Sequence, residues 1–133
     1  MNQSVKTMGR IILIAITCVA VLLAAGCGKS KPSATQQANG MVDSMAKGDF
    51  ASATKDFDAT MNAAMSAEKL GQTWSQLTTQ AGAFKSRTKT REAQEAGFQS
   101  VYVTCQFEKA NLDIKVVING SGQVSGLFIV PTH

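Results

Sequence analysis

The spacing of apolar residues changes once along this chain, at Gly82, and that change restricts its fold more than any other feature. Before Gly82, apolar side chains recur every three or four residues, as on one face of a helix. After Gly82 they alternate with polar ones, as on one face of a strand. Because the helices precede the strands, the pattern predicts an α+β fold with helices packed on one face of an antiparallel sheet.

Three helices are predicted before Gly82. Gly48 suits the left-handed position after the first helix, and Asp49 can cap the second. Ser66 can cap the third, which Gly82 ends. The three apolar stripes are Ala38, Met41, Val42 and Met45; then Phe50, Ala53, Phe57 and Met61; then Leu70, Trp74, Leu77 and Ala81.

Four strands are predicted after Gly82, in residues 84–93, 101–107, 112–118 and 124–130. The sequence Asn119-Gly120-Ser121-Gly122 favours a hairpin, because Asn and Gly tolerate a positive φ. Pro131 ends the last strand. We therefore expect a curved sheet of four antiparallel strands.

The start of the chain has the order of a bacterial export signal. Lys6 and Arg10 precede the run Ile11 to Ala25, in which only Thr17 is not apolar. A run of roughly fifteen apolar residues matches the core of a cleaved signal peptide. A membrane-spanning helix needs about twenty, so we predict that this run is not a permanent anchor.

A cysteine follows the apolar run. The sequence Leu22-Leu23-Ala24-Ala25-Gly26-Cys27 resembles the lipobox of bacterial lipoproteins, although Ala24 stands where that family most often has leucine. The resemblance implies that residues 1–26 are removed and that Cys27 is lipidated, with fatty acyl chains such as palmitate. Two acyl chains suffice for stable anchoring. We therefore expect an extracytoplasmic domain held at the cell membrane or envelope; cleavage after Gly26 without lipidation is the alternative.

The remaining chain is small and weakly basic. The precursor's net charge of +4 includes Lys6 and Arg10, which leave with the signal. Of three cysteines, Cys18 leaves as well and Cys27 is lipidated, so Cys105 has no disulfide partner. Residues 27–38 are small and polar, as in a flexible tether, and residues 39–133 are predicted to form a single domain.

Three blocks of the chain resemble a known family: AKGDFASATKDFDATM, EKLGQTWSQLTTQAGAFKS and VYVTCQFEKANLDIKVVINGSGQVSGLFIVP. They resemble the uncharacterised bacterial domain-of-unknown-function family 3887, over residues 36–131. The resemblance implies a cone-shaped, cystatin-like fold related to nuclear transport factor 2, whose mouth can bind ligands. It implies no catalytic residues. Family members also precede alpha/beta-hydrolase domains, but this chain stops at His133, and we expect no hydrolase activity.

Four cations alternate along the first predicted strand: Lys85, Arg87, Lys89 and Arg91. At strand spacing they would share one face over roughly 20 Å. One interpretation is a solvated edge that charge protects from aggregation, with glutamates on neighbouring strands. The other is an anion-binding surface, for which the nearest partner of a lipid-anchored domain is the anionic membrane. No aromatic residue is interleaved with the cations, which argues against nucleic acid.

Aromatic residues at helical and strand spacing usually fill a core. If the cone is open, the candidate pocket-lining residues are Phe57, Trp74 and Phe107, together with Phe84 and Phe128. Tyr102 and Thr104 are the candidates for polar contacts in such a pocket, although alternation places them on the other side of their strand.

The sequence offers little for metal binding or catalysis. Met41, Met45, Met61 and Met65 recur at spacing that suits copper(I), but no histidine accompanies them, and filling the core is the simpler role. Cys105 lies on an apolar strand face and is expected to be buried and inert. The single histidine is His133. Asp113 and Tyr102 are the only proton-transfer candidates, so we expect no metal, no cofactor and no catalytic residue.

These observations predict a non-catalytic binding module for a protein or an envelope component. The alternative is a carrier of a small molecule or lipid in the cone cavity. An enzyme of the same fold is the third hypothesis.

Overall fold

Four helices precede four strands in the structure, a computed structural model that describes residues 30–133. The elements are α1 (Ala34–Ala46), α2 (Phe50–Ala53), α3 (Ala59–Ala64), α4 (Ala67–Ala81), β1 (Phe84–Glu95), β2 (Phe98–Phe107), β3 (Asn111–Ile118) and β4 (Val124–Pro131). The predicted α+β order is confirmed. Cys27 and the signal predicted for residues 1–26 lie outside the described residues.

Helix α1 begins inside the segment predicted as a tether. Ser33 and Gln36 form a capping box, in which the Ser33 hydroxyl accepts from the Gln36 N–H and the Gln36 side chain accepts from the Ser33 N–H. This reciprocal pair satisfies two N–H groups that the first turn leaves free. The predicted stripe is confirmed, since its buried residues are Ala38, Met41, Val42 and Met45.

The second predicted helix is wrong in one respect, because it is two short helices. α2 ends at Ala53, and α3 begins after Asp58, whose carboxylate accepts the Met61 N–H at 2.7 Å. Between them, Phe57 lies beside Val124 in a parallel bridge. The backbone that a continuous helix would need is therefore bonded to a strand.

Helix α4 has the predicted limits. The Ser66 side chain accepts from the Lys69 N–H. Gly82 follows the helix at φ +83°, a backbone conformation that residues with a Cβ rarely adopt. None of the helices in residues 30–133 is both long and apolar enough to cross a membrane.

The sheet is antiparallel and its strands lie in the order β1-β2-β3-β4. The helices pack on one side of it, which we call the helix face. That face carries the buried core residues Val101, Val103, Cys105, Phe107, Ile114, Val116 and Ile118. The other side, which we call the outer face, carries most of the sheet's polar side chains. β1 and β4 are the two outermost strands.

Candidate functional site

An apolar pocket of about 260 Å³ lies between the helices and the helix face. Its helical wall is made by Met45 of α1, by Met65 at the junction of α3 and α4, and by three residues of α4. α4 begins after Ser66, and within it Leu70 and Trp74, four residues apart, lie on the same side of the helix with Thr73 beside them. The helical repeat therefore places these three side chains together in the pocket wall.

Trp74 is held in the pocket wall by two phenylalanines. The ring of Trp74 lies 5.9 Å from that of Phe84 and 5.8 Å from that of Phe107, and the two phenylalanine rings are 5.7 Å apart. These separations and tilted orientations are those of favourable aromatic contacts. The cluster joins α4 to β1 and β2, so this wall is preorganised.

The opposite wall belongs to β3 and β4. Ile114 pairs with Ile129 across the two strands, and both line the pocket with Leu127. Phe128 also lines it, although register places Phe128 opposite Lys115 on the outer face. Because β4 is an outermost strand, the pocket lies next to a sheet edge.

The pocket is almost free of polar groups. Thr73 is the only lining residue with a hydroxyl, and that hydroxyl donates to the Lys69 carbonyl of its own helix at 2.9 Å. No charged side chain lines it. A charged or strongly polar ligand group would lose hydration without gaining a partner, so the pocket suits an apolar group.

The structure brings only part of the predicted pocket set together. Trp74 lines the pocket, as does Phe128, but Phe57 and Phe107 do not. Both are buried in the core, Phe57 beside Val124 and Phe107 behind Trp74. Tyr102 and Thr104 lie on the outer face, away from the pocket.

Two methionines that were expected to fill the core also line the pocket. Met45 is buried, and Met65 is half-buried beside the core. Met65 directly precedes the cap of α4 and lies four residues after Met61. Its spacing in the sequence therefore does not distinguish it from the methionines that fill the core.

The expectation that four cations share one face of β1 is wrong. Irregularities in register fall between Phe84 and Ser86 and between Arg87 and Lys89. Arg87 therefore lies opposite Cys105 on the helix face, whereas Lys89 lies opposite Thr104 on the outer face. Each extra residue in a bulged strand reverses the alternation that follows it.

Most of these cations are paired within the protein. Arg87 donates to both carboxylate oxygens of Asp43 in α1, at 2.7 and 3.0 Å, and this bond raises the pKa of Arg87. Lys85 lies 3.5 Å from Glu108. Lys89 is exposed and has no ion pair within residues 30–133. Anion binding by Lys85, Arg87, Lys89 and Arg91 stays a prediction.

Arg91 pairs with a buried carboxylate on the outer face. Asp113 is only 1% exposed, and it accepts from Arg91 at 3.2 Å and from the Thr104 hydroxyl at 2.7 Å. The Arg91 guanidinium also stacks on the Tyr102 ring, 3.8 Å from its centre. Charge pairing and a stacked ring explain how this carboxylate is buried in the sheet.

A second polar cluster lies next to it. Glu95 accepts from Lys115, from the Tyr102 hydroxyl and from the Ser100 hydroxyl. The pKa of Glu95 is lowered, mainly by the hydrogen bond from Lys115 and then by the one from Tyr102. The hydrogen bond to Glu95 in turn raises the pKa of Lys115. The two proton-transfer candidates therefore lie on the side of the sheet opposite the pocket. Asp113 accepts from Arg91, which stacks on Tyr102, and the Tyr102 hydroxyl donates to Glu95.

Cys105 is a buried, free thiol, as predicted. Burial raises the pKa of Cys105 to about 12, so the reactive thiolate is suppressed at neutral pH. Met41, Met45 and Met61 are core residues. Within residues 30–133, no group of three or more His, Cys, Asp or Glu residues is placed to hold a metal ion.

No curated protein and no solved structure matches the chain. The family model that matches is described as "Protein of unknown function (DUF3887)" and covers residues 38–127, from the buried stripe of α1 to Leu127 in the pocket wall. The chain therefore belongs to the DUF3887 family of proteins of unknown function.

Proposed function

We propose that this protein is a lipid-anchored binding module of the bacterial envelope, whose apolar pocket receives one uncharged group of its partner. The observation that carries the proposal is the pocket beside β4, which is bounded by apolar side chains and by a single threonine whose hydroxyl is already bonded. Such a site gains free energy from burying apolar surface and has no group placed for chemistry on a polar substrate.

The size of the pocket favours a side chain over a stored lipid. Small-molecule sites span roughly 300–1,000 Å³, and this pocket, at about 260 Å³, falls just below that range. An aromatic or branched aliphatic side chain fits this scale. A carrier of a small molecule or lipid is the second candidate, because an apolar lining suits an acyl chain as well.

The anchor and the cone complete the proposal. Export and lipidation rest on Lys6, Arg10, the apolar run and Cys27, whose thiol is the acceptor that the lipobox resemblance implies. A cone related to nuclear transport factor 2 is supported by the pocket between the helices and the helix face of the sheet. Metabolic labelling with palmitate should be lost in Cys27→Ala and retained in Cys18→Ala; label in both variants would remove the anchor from the proposal.

Trp74, the single tryptophan, is a built-in reporter for the pocket. We expect the blocked amino acid N-acetyl-4-bromophenylalanine amide to quench Trp74 fluorescence saturably, because a bound bromine lies against the indole. Thr73→Phe, which fills the pocket, should abolish the saturable quenching of Trp74 fluorescence. Thr79→Phe is the matched control, since Thr79 is exposed on the same helix and its hydroxyl is likewise bonded to the carbonyl four residues before it. Linear, non-saturable quenching in the unmodified protein would contradict the proposal.

Native mass spectrometry separates the two candidates. When the protein is extracted from its membrane, the pocket of a binding module should be empty. A carrier should retain one lipid or small molecule per chain in addition to any acyl chains of the anchor. A mass increment that disappears in Thr73→Phe and persists in Thr79→Phe would establish the carrier instead.

A further inference from the structure

The outer edge of β4 is open along most of its length. Its first residue is bonded outward, since the Val124 N–H donates to the Asp56 carbonyl at 2.8 Å and the Val124 carbonyl accepts from the Asp58 N–H at 2.9 Å. From Ser125 to Val130, no strand or loop of residues 30–133 pairs with the side of β4 that faces away from β3. Alternate N–H and C=O groups of this edge are therefore free for another extended chain.

The open edge has little of the usual protection against pairing, and its one irregularity in register lies near its start, at Ser125. Exposed edge strands commonly carry charge, irregularities or a cover that prevents another strand from adding. From Val124 to His133 the sequence has no Lys, Arg, Asp or Glu. Its large apolar side chains are exposed, with Phe128 at 54% and Ile129 at 41% of their surface. Pro131 limits pairing only at the far end.

Apolar surface lies on both sides of this edge. On the helix face, Leu127 and Ile129 line the apolar pocket. On the outer face, Phe128 borders a shallow groove with Phe98 and Val117. Gly126 permits this arrangement, because a Cβ there would lie 3.0 Å from the Phe128 ring. An added strand, whose side chains alternate in direction, would place one set towards the pocket and the other towards the groove.

The charges around the groove cancel. Glu95 and Lys115, the two ionic residues that line it, are paired with each other. Neither the pocket, the groove nor β4 therefore offers a free charge to a partner. Charge complementarity selects a segment without charged residues.

We propose that β4 binds an extended, uncharged, apolar segment of a partner protein by strand addition, with one of its side chains in the apolar pocket. The proposal rests on the proposed function of the pocket, and it adds that the partner binds through an extended strand. Main-chain hydrogen bonds to the free edge supply affinity, and the pocket selects the side chain, which is the division of roles in strand addition. A second copy of this chain fits less well, because its Leu127 and Ile129 already line its own pocket.

The test compares two peptides with identical side chains. Both are blocked peptides of alternating threonine and apolar residues with a central 4-bromophenylalanine; in one, alternate backbone nitrogens that would face β4 are methylated. The full chain is reconstituted in phosphatidylcholine liposomes, and quenching of Trp74 is measured. We expect the methylated peptide to bind about tenfold more weakly, because at least two backbone hydrogen bonds are lost.

Edge variants give the matched comparison within the protein. Phe128→Lys places a charge on the open edge and should weaken the unmethylated peptide at least as much as methylation does. Thr88→Lys adds the same charge at an exposed position of β1 and should leave binding unchanged.

Equal binding of the two peptides, or equal binding by the two variants, would overturn strand addition. In that case saturable quenching by the blocked amino acid would still support the pocket, whereas loss of that quenching would overturn the pocket itself. Dimerisation of the peptide-free protein that Phe128→Lys abolishes and Thr88→Lys does not would assign the edge to a second copy and also overturn the proposal.

Discussion

The two outermost strands of this sheet are built in opposite ways. β1 carries four cations and two irregularities in register, and its side chains reach across to the helices and to neighbouring strands. β4 has one irregularity, near its start at Ser125, but it carries no charged residue and exposes Phe128 and Ile129 beside an apolar pocket. Both strands face the same problem, because an unpaired row of backbone groups attracts other strands. β1 has features that prevent such pairing, and β4 has features that permit it.

The comparison shows that charge on an edge strand has two separable uses. Arg87 ties β1 to α1 through Asp43, and Arg91 neutralises the carboxylate of Asp113 inside the sheet. Lys89 remains exposed in solvent. The four cations, which look uniform in the sequence, therefore differ in the structure. Arg91 pairs with a buried carboxylate, Arg87 pairs with a helix, Lys85 pairs with exposed Glu108, and Lys89 is left in solvent.

The largest effect is expected from Arg91→Ala. It leaves the Asp113 carboxylate, 1% exposed, without its cation, and we expect the free energy of unfolding to fall by about 3 kcal/mol. Arg87→Ala is the matched variant on the same strand; its partner Asp43 is half-exposed, so the loss should be less than about 1 kcal/mol. Urea unfolding measures both, and equal losses would contradict the division of roles within β1.

An effect of intermediate size for each pH unit is expected from pH, through Cys105 opposite Arg87. Burial raises the pKa of Cys105 from 9.0 to about 12, so between these values the folded protein keeps a proton that the unfolded chain loses. The free energy of unfolding is therefore undiminished below pH 9.0 and falls as pH rises towards about 12, by at most about 1.4 kcal/mol per pH unit. Urea unfolding of the protein and of Cys105→Ala gives the difference in slope. Identical slopes would mean that the thiol is not buried beside β1.

The smallest effect concerns anion binding by β1. A cation near an anionic membrane contributes on the order of 1 kcal/mol, so Lys89→Ala should weaken sedimentation of the chain lacking residues 1–27 with anionic liposomes by about fivefold at low salt. Arg87→Ala should change it less, because Asp43 already neutralises Arg87. Equal sedimentation by a variant with all four cations neutralised would remove anion binding from β1.

The limits of most elements are readable in the sequence because their causes are local. Ser66 caps α4 and Gly82 ends it, Asn119 and Gly122 turn the last hairpin, and each acts on backbone a few residues away. The break between α2 and α3 was harder to predict. Asp58 is a helix cap visible in the sequence, but the reason for the break is the pairing of Phe57 with Val124, far along the chain.

The candidate site was predicted only in part for the same reason. Trp74 is marked by its helical stripe, but whether an aromatic residue lines a pocket or fills a core depends on what packs against it. Phe107 is covered by Trp74 and Phe84, and the pocket's far wall comes from β4. No spacing rule along the chain relates α4 to β4, so the pocket exists only once both pack on the same sheet face.

The sequence by itself determined the order of helices and strands, the caps and turns between them, the inert position of Cys105 and the absence of charge in β4. Tertiary structure alone decided which face each β1 cation occupies, which aromatic residues are covered, and that an uncharged strand edge lies beside an apolar pocket. The physical reason is distance along the chain. Caps, turns and alternation arise from residues within a few positions of one another, whereas register irregularities and pocket walls arise from contacts between segments that are far apart in sequence.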